Sequence, residues 1–105
     1  MDYILKTTKA FKKDFKRCQK QGLPMEKLRS AMETLKHNGS LPSSFRPHQL
    51  HGDRKGQWEC HIQSDWLLVW EQNDTELILL MLNTGTHSEL FDKKKQEIIT
   101  LNKTR

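Results

Sequence analysis

The sequence predicts an α+β fold: a two-helix hairpin packed on one face of a small antiparallel sheet, with elements in the order β-α-α-β-β-β. Three observations lead there. Two consecutive stretches within the first 38 residues carry apolar side chains at helical spacing. A later run, QWECHIQ, alternates apolar and polar residues. Two wholly apolar runs follow it, separated by turn-forming residues.

Each element has its own signal. Tyr3, Ile4 and Leu5 are apolar and β-prone, and they precede Thr7 and Thr8, either of which can cap a helix by accepting a backbone N–H bond. From Lys9, the side chains Phe11, Phe15 and Cys18 fall at i, i+4 and i+7 while Lys and Arg take the rest of the wheel, so a cationic amphipathic helix runs to Gly22. Pro24 suits a first helical position, and Met25, Leu28, Met32 and Leu35 recur up to the stop signal Asn38-Gly39. So short a link makes the pair an antiparallel hairpin. Residues 40–56 hold Pro42, Pro47 and the polar run HGDRKG and read as a long loop. In QWECHIQ, Trp58, Cys60 and Ile62 share one face, and Gln57, Glu59, His61 and Gln63 the other. Ser64 and Asp65 turn the chain into two apolar strands, residues 66–70 and 77–82, which read as central and buried on both faces. The helices then cover one face of the sheet and leave the opposite one open for binding. The polar stretch from residue 92 onward is a short helix or a tail.

The composition narrows the function. A chain of 105 residues supports one domain, and 34% hydrophobic against 30% charged residues predicts a thin core. The net charge of +5 favours an acidic partner, with nucleic acid first. The first 37 residues hold ten Lys or Arg against four acids, so the positive charge is concentrated there. Lys9 and Lys13 are candidate phosphate contacts on that first helix. Lys93, Lys94 and Lys95 beside Phe91 form a second patch with an aromatic ring for base stacking. No apolar run would span a bilayer and the N-terminus lacks a signal-peptide pattern, so a cytoplasmic protein with no membrane partner is expected. Cys18 and Cys60, far apart and on apolar faces, are expected as buried reduced thiols.

Five histidines stand out, four of them (His48, His51, His61 and His87) in the second half of the chain. Histidine moves protons near neutral pH because its ordinary pKa is about 6.5. His61 lies on the polar face of its strand and His87 follows Thr84-Gly85-Thr86, so neighbouring antiparallel strands bring both to one rim. Asp65, four residues after His61, either orients an imidazole, holds a substrate group or caps its own turn. Trp66 is either core or a groove wall. His48 and His51 with His61 and Asp65 offer metal-ligand types, but they lie in a loop without a cysteine, so neither a metal nor another cofactor is expected.

The motifs HQLHG (residues 48–52), ECHIQSDWLLVW (residues 59–70) and NTGTHSELF (residues 83–91), behind a basic two-helix half, resemble the YafQ branch of the RelE/ParE bacterial toxin superfamily. The resemblance covers residues 1–92 as a single RelE-like domain and implies nothing for the extension, residues 93–105. It implies a type II toxin, an endoribonuclease that enters the ribosomal decoding site and cleaves messenger RNA there. It also implies neutralisation by a cognate antitoxin, with operator DNA met only through the antitoxin complex. By motif position, His48, His61, Asp65 and His87 match catalytic residues, Phe91 matches an aromatic near the RNA, and Trp66, a further RNA-binding candidate, matches the residue after the motif aspartate. Position 83 is often Arg in this branch and is Asn83 here, which takes a cation away from the scissile phosphate. Arg54 and Lys55 are the substitute cations.

The residue types suit that chemistry. Metal-independent cleavage by 2′-hydroxyl attack needs one proton removed from the hydroxyl, charge stabilised on a pentavalent phosphorane, and one proton given to the departing 5′-oxygen. His61 and His87 form the acid/base pair, each transfer worth about 10²–10⁴-fold, with Asp65 orienting or accepting and His48 near the phosphate. Which histidine is the base stays open. Two alternatives remain: a gyrase-directed ParE-like toxin, which the histidine cluster argues against, and a non-catalytic basic RNA- or protein-binding module.

Overall fold

The computed structural model describes residues 2–91, so the extension 93–105 and its lysines Lys93, Lys94 and Lys95 lie outside the described residues. The elements are β1 (Ile4–Thr7), α1 (Lys9–Lys20), α2 (Met25–Asn38), β2 (His48–Gln49), β3 (Gln57–Gln63), β4 (Trp66–Asn73), β5 (Ile78–Gly85) and α3 (His87–Phe91). Single turns of 3-10 helix, Ser43–Phe45 and Gly52–Arg54, flank β2. The sheet order is β1-β5-β4-β3-β2.

The α+β class and the helix pair on one face stand as expected, with two corrections to the sheet. β1 pairs parallel with β5, Ile4 opposite Ile78 and Thr7 opposite Met81, so the sheet is mostly but not wholly antiparallel. A four-residue strand carries no local record of its neighbour's direction; the helical hairpin and three further strands lie between the two in sequence. The stretch expected as one loop also supplies a fifth strand, in which His48 and Gln49 pair with Glu59 and Trp58. Two residues are too few for a period-2 pattern to show.

Local rules explain the helices. Thr8 caps α1, its Oγ1 accepting the Phe11 N–H at 2.9 Å, and Arg17 and Lys20 complement the negative end of the helix. Pro24 is the cap of α2 rather than its first residue, and α2 ends where Gly39 turns left-handed at φ 68° and donates to Leu35 O at 2.7 Å. Phe11, Cys18, Leu28, Ala31 and Leu35 then pack on Cys60, Trp66, Leu68, Trp70, Leu79 and Met81 of the sheet.

The opposite face is not open throughout. Leu67 and Val69 of β4 and Leu90 of α3 form a second buried cluster, with Leu50, Leu82 and Phe91 packed against it. This cluster buries β4 on both faces, as its wholly apolar run predicts.

Beyond the end of β1, α1 satisfies the edge of β5 with side chains. Thr8 Oγ1 donates to Leu82 O at 2.9 Å, Asp14 Oδ2 accepts the Thr84 N–H at 3.2 Å, and Arg17 Nη2 donates to Thr84 O at 2.8 Å. A helix thereby closes a strand edge that would otherwise leave backbone groups unpaired. No described helix is long and apolar enough to cross a membrane.

Candidate active site

Two cross-strand rows organise the face opposite the helices. One runs His48, Glu59, Val69, Asn83, and the next runs His61, Leu67, Gly85. Asn83 joins the first row because of a bulge: Val69 pairs with Asn83 but Trp70 pairs with Met81, leaving Leu82 unmatched. With about 4.8 Å between strands, the ends of the first row, His48 and Asn83, stand roughly 14 Å apart.

At the β2 end, His48 Nε2 lies 3.1 Å from Glu59 Oε1, and its Nδ1 lies 3.0 Å from Arg46 O. The His48 and His61 rings are 6.4 Å apart, centroid to centroid. Glu59 is 3% exposed, so β2 covers a carboxylate that its strand alone would leave in water. His61 Nδ1 is buried and meets no hydrogen-bond partner among the described residues. A ring nitrogen left without a partner is unusual in a folded core.

At the α3 end, Asp65 Oδ1 accepts the His87 backbone N–H at 3.1 Å. Asp65 therefore orients His87 through its backbone, not through its imidazole. The exposed His87 ring stands 5.3 Å from the Phe91 ring. The Arg54 guanidinium sits over Phe91 at 4.7 Å from the centroid and donates from Nη1 to Gln57 Oε1 at 3.1 Å. Leu67 joins the two ends, being opposite His61 in the ladder and in one cluster with Phe91.

Not every expected residue arrives here. Trp66, expected at the RNA, is 2% exposed in the helix-side core, where its Nε1 donates to Thr84 Oγ1 at 2.9 Å. Strand alternation decides this, since Leu67 takes the outward face. Lys9 and Lys13 are exposed on α1, in the helical layer on the other side of the sheet from the histidines. Asn83 is tied back to α1, its Nδ2 donating to Asp14 Oδ2 at 3.1 Å. Lys55 is exposed beside β3, and His51 is exposed just before the 52–54 turn. Among the described residues, no three His, Cys, Asp or Glu side chains converge as a metal site.

Glu59 escaped the sequence reading as a functional residue. Its place on the polar face with His61 was legible; its burial required β2. Asp14, Arg17 and Glu89 were also missed, although Thr86-x-x-Glu89 is a capping-box spacing. Burial pulls the Arg17 guanidinium down, but Asp14 and Glu89 outweigh it and hold its pKa above the ordinary value. Burial likewise pushes the Glu89 carboxyl up, but hydrogen bonds from Thr86 and the charge of Arg17 hold it below the ordinary range. The cysteines are buried, free and inert: burial, with Glu59 adding, pushes the Cys60 thiol up to about 12, and burial raises Cys18.

A two-helix layer on a β1-β5-β4-β3-β2 sheet is the fold of a class of small bacterial toxins. The YoeB/ParE toxin of Agrobacterium tumefaciens shares the fold at a TM-score of 0.70 and 21% identity, over 80% of this chain and 98% of that one. Within the class, residues 3–92 match the family described as bacterial toxins of type II toxin–antitoxin systems, YafQ, and the chain belongs to that family. It is 37% identical over 82 residues to the mRNA interferase toxin YafQ of Escherichia coli K12, covering 77% of this chain and 87% of that protein. The E. coli DinJ–YafQ toxin–antitoxin complex superposes at a TM-score of 0.79 with 33% identity, over 87% of this chain and 99% of the other.

Proposed function

We propose that this protein is the toxin of a type II pair that cleaves messenger RNA on the ribosome, in the cytoplasm, by metal-independent attack of the 2′-hydroxyl. The observation that carries this is the chain of contacts from His61 to His87 on one face: His61 lies opposite Leu67, Leu67 packs in one cluster with Phe91, and the exposed His87 ring stands 5.3 Å from Phe91 with its backbone held by Asp65. The name of the E. coli relative, an mRNA interferase, supports the same reaction.

In this reading one of the two imidazoles takes the 2′-hydroxyl proton and the other protonates the departing 5′-oxygen. Each transfer contributes about 10²–10⁴-fold. His48, held by Glu59, stands near the phosphate. Arg54 and Lys55 supply positive charge, and Phe91 offers its ring to a base. Trp66 acts from the core and is not a direct contact, while half-buried Asn83 stays on the site face near the RNA with its amide held by Asp14. Exposed Lys9 and Lys13 contact phosphates outside the cleavage site.

The DinJ–YafQ complex of the relative supports a cognate antitoxin here. A net charge of +5 calls for an acidic antitoxin segment, whose association weakens as salt rises, and operator DNA is reached through that complex. The test is primer extension on a defined messenger RNA, with and without programmed ribosomes, comparing wild type with His87→Ala. Ribosome-dependent cuts that vanish in the variant establish the reading. Binding to ribosomes without cleavage replaces it with a non-catalytic binding protein.

A further inference from the structure

α3 spans only five residues, too few to be stable as an isolated helix, yet it carries His87. Leu90 anchors it to the sheet from below. What sets its first turn is a polar knot reaching over from the helical layer. Glu89 and Thr86 cap one another: the Glu89 Oε1 accepts the Thr86 N–H at 2.8 Å, and Thr86 Oγ1 accepts the Glu89 N–H at 3.1 Å. The other oxygen, Oε2, lies 3.0 Å from Arg17 Nε, a charge pairing rather than an aligned hydrogen bond, and accepts from Gln21 Nε2 at 3.4 Å.

Arg17 spreads its guanidinium over three elements. Besides Glu89 of α3, Nη1 meets Asp14 Oδ1 of α1 at 2.9 Å and Nη2 donates to Thr84 O of β5 at 2.8 Å. Asp14, 8% exposed, uses its remaining oxygen for the Thr84 N–H and the Asn83 amide. The knot is tight: a Cβ on Gly85 would stand 2.5 Å from Arg17 Nη2 and 2.9 Å from Glu89 Oε1. Two residues beyond Gly85 comes His87.

We infer that Arg17 is a positioning residue for the reaction proposed above: it locks the start of α3 to β5 and α1 and so sets where the His87 imidazole stands. Only a planar fork serves Asp14, Thr84 and Glu89 together, so a lysine, with its single charge centre, does not replace it. Asp65 fixes the His87 N–H from one side and Arg17, through Glu89, fixes the helix from the other. Misplacing a catalytic group by about 1 Å costs on the order of 10²-fold.

The inference rests on His87 being catalytic, and its test separates the two. Arg17→Ala, Arg17→Lys and Glu89→Gln are compared with the exposed-surface control Lys16→Ala for ribosome-dependent cleavage, and for His87 and Phe91 ring resonances by NMR. The expected result is a kcat loss of about 10- to 100-fold in Arg17→Ala and Arg17→Lys, KM within twofold, and displaced His87 and Phe91 resonances. Glu89→Gln, which keeps the capping oxygen and loses the charge, covers the case in which the Arg17 variants do not fold. It loses less activity, in the same direction, and Lys16→Ala loses none. Unmoved ring resonances in folded Arg17 or Glu89 variants overturn the inference whether or not wild type cleaves. A loss confined to KM also overturns it. A wild-type protein that never cleaves while the resonances shift defeats the nuclease reading and leaves the positioning role standing.

Discussion

His48 and Glu59 face one another across the β2–β3 pair at 3.1 Å, the imidazole half exposed and the carboxylate at 4% side-chain exposure. The buried partner depends on the exposed one, because a buried carboxylate that loses the group it pairs with is costly. The pair also holds the His48 ring beside His61.

His48→Ala is therefore expected to lower stability by about 1–3 kcal/mol, the cost of leaving Glu59 without its partner. In the background of Glu59→Leu the same substitution costs much less. Urea unfolding of the four proteins of this cycle checks it, and additive losses would show that the pair is not coupled.

His87→Ala removes an exposed ring, so its melting temperature should stay near that of wild type while cleavage falls by at least about 10²-fold. His51→Ala, also exposed and outside the site, keeps wild-type cleavage. Equal losses in both variants would remove the distinction between them.

Trp66 is expected to matter for folding and not for contact. Trp66→Phe loses the indole bond to Thr84 and costs about 1–3 kcal/mol, yet its cleavage at a temperature where it is fully folded matches wild type. A large drop in activity at full folding would return Trp66 to the RNA.

Burial raises the Cys60 thiol from an ordinary 9.0 to about 12. The folded value exceeds the unfolded one, so the neutral thiol's contribution is fully present below pH 9 and is lost as pH rises toward 12. Native protein at pH 8 should leave both cysteines unmodified by a disulfide exchange reagent, and urea should expose both. Rapid labelling of the native state contradicts their burial.

The hydrogen bond that His37 Nδ1 donates to Asp2 Oδ1 is the main cause that raises His37 above its ordinary 6.5, and the same bond lowers Asp2 below its ordinary 3.8. His37 stabilises the fold below 6.5 and loses this as pH rises through its raised value. Asp2 stabilises above 3.8 and loses this as pH falls through its lowered value. The pair thus acts mainly between those limits, and an NMR titration should return His37 toward 6.5 in Asp2→Asn.

Much of the fold was legible because it is written locally. The spacing of Phe11 and Cys18, and of Met25, Leu28 and Leu35, marked two helices and their buried faces, and Thr8 and Gly39 marked a start and a stop. The alternation of β3 placed Cys60 in the core and His61 on the other face. The site was legible only as a set of residue types. Trp66 beside Asp65 reads as either core or a groove wall until the strand's facing is known. Alternation counted from Leu79 and Met81 puts Asn83 on the helix face, and the bulge at Leu82 moves it into the row of Val69.

The sequence by itself determined the two helices, the apolar strands, the buried thiols, the excess of positive charge and the presence of histidines at strand ends. These follow from periodicity and side-chain chemistry within a few residues. The tertiary structure alone decided that β1 runs parallel to β5, that β2 buries Glu59 beneath His48, and that Arg17 reaches Glu89 across the sheet edge. The physical reason is that strand order and register are set by contacts between segments far apart in the chain, where one extra residue moves a side chain to the opposite face.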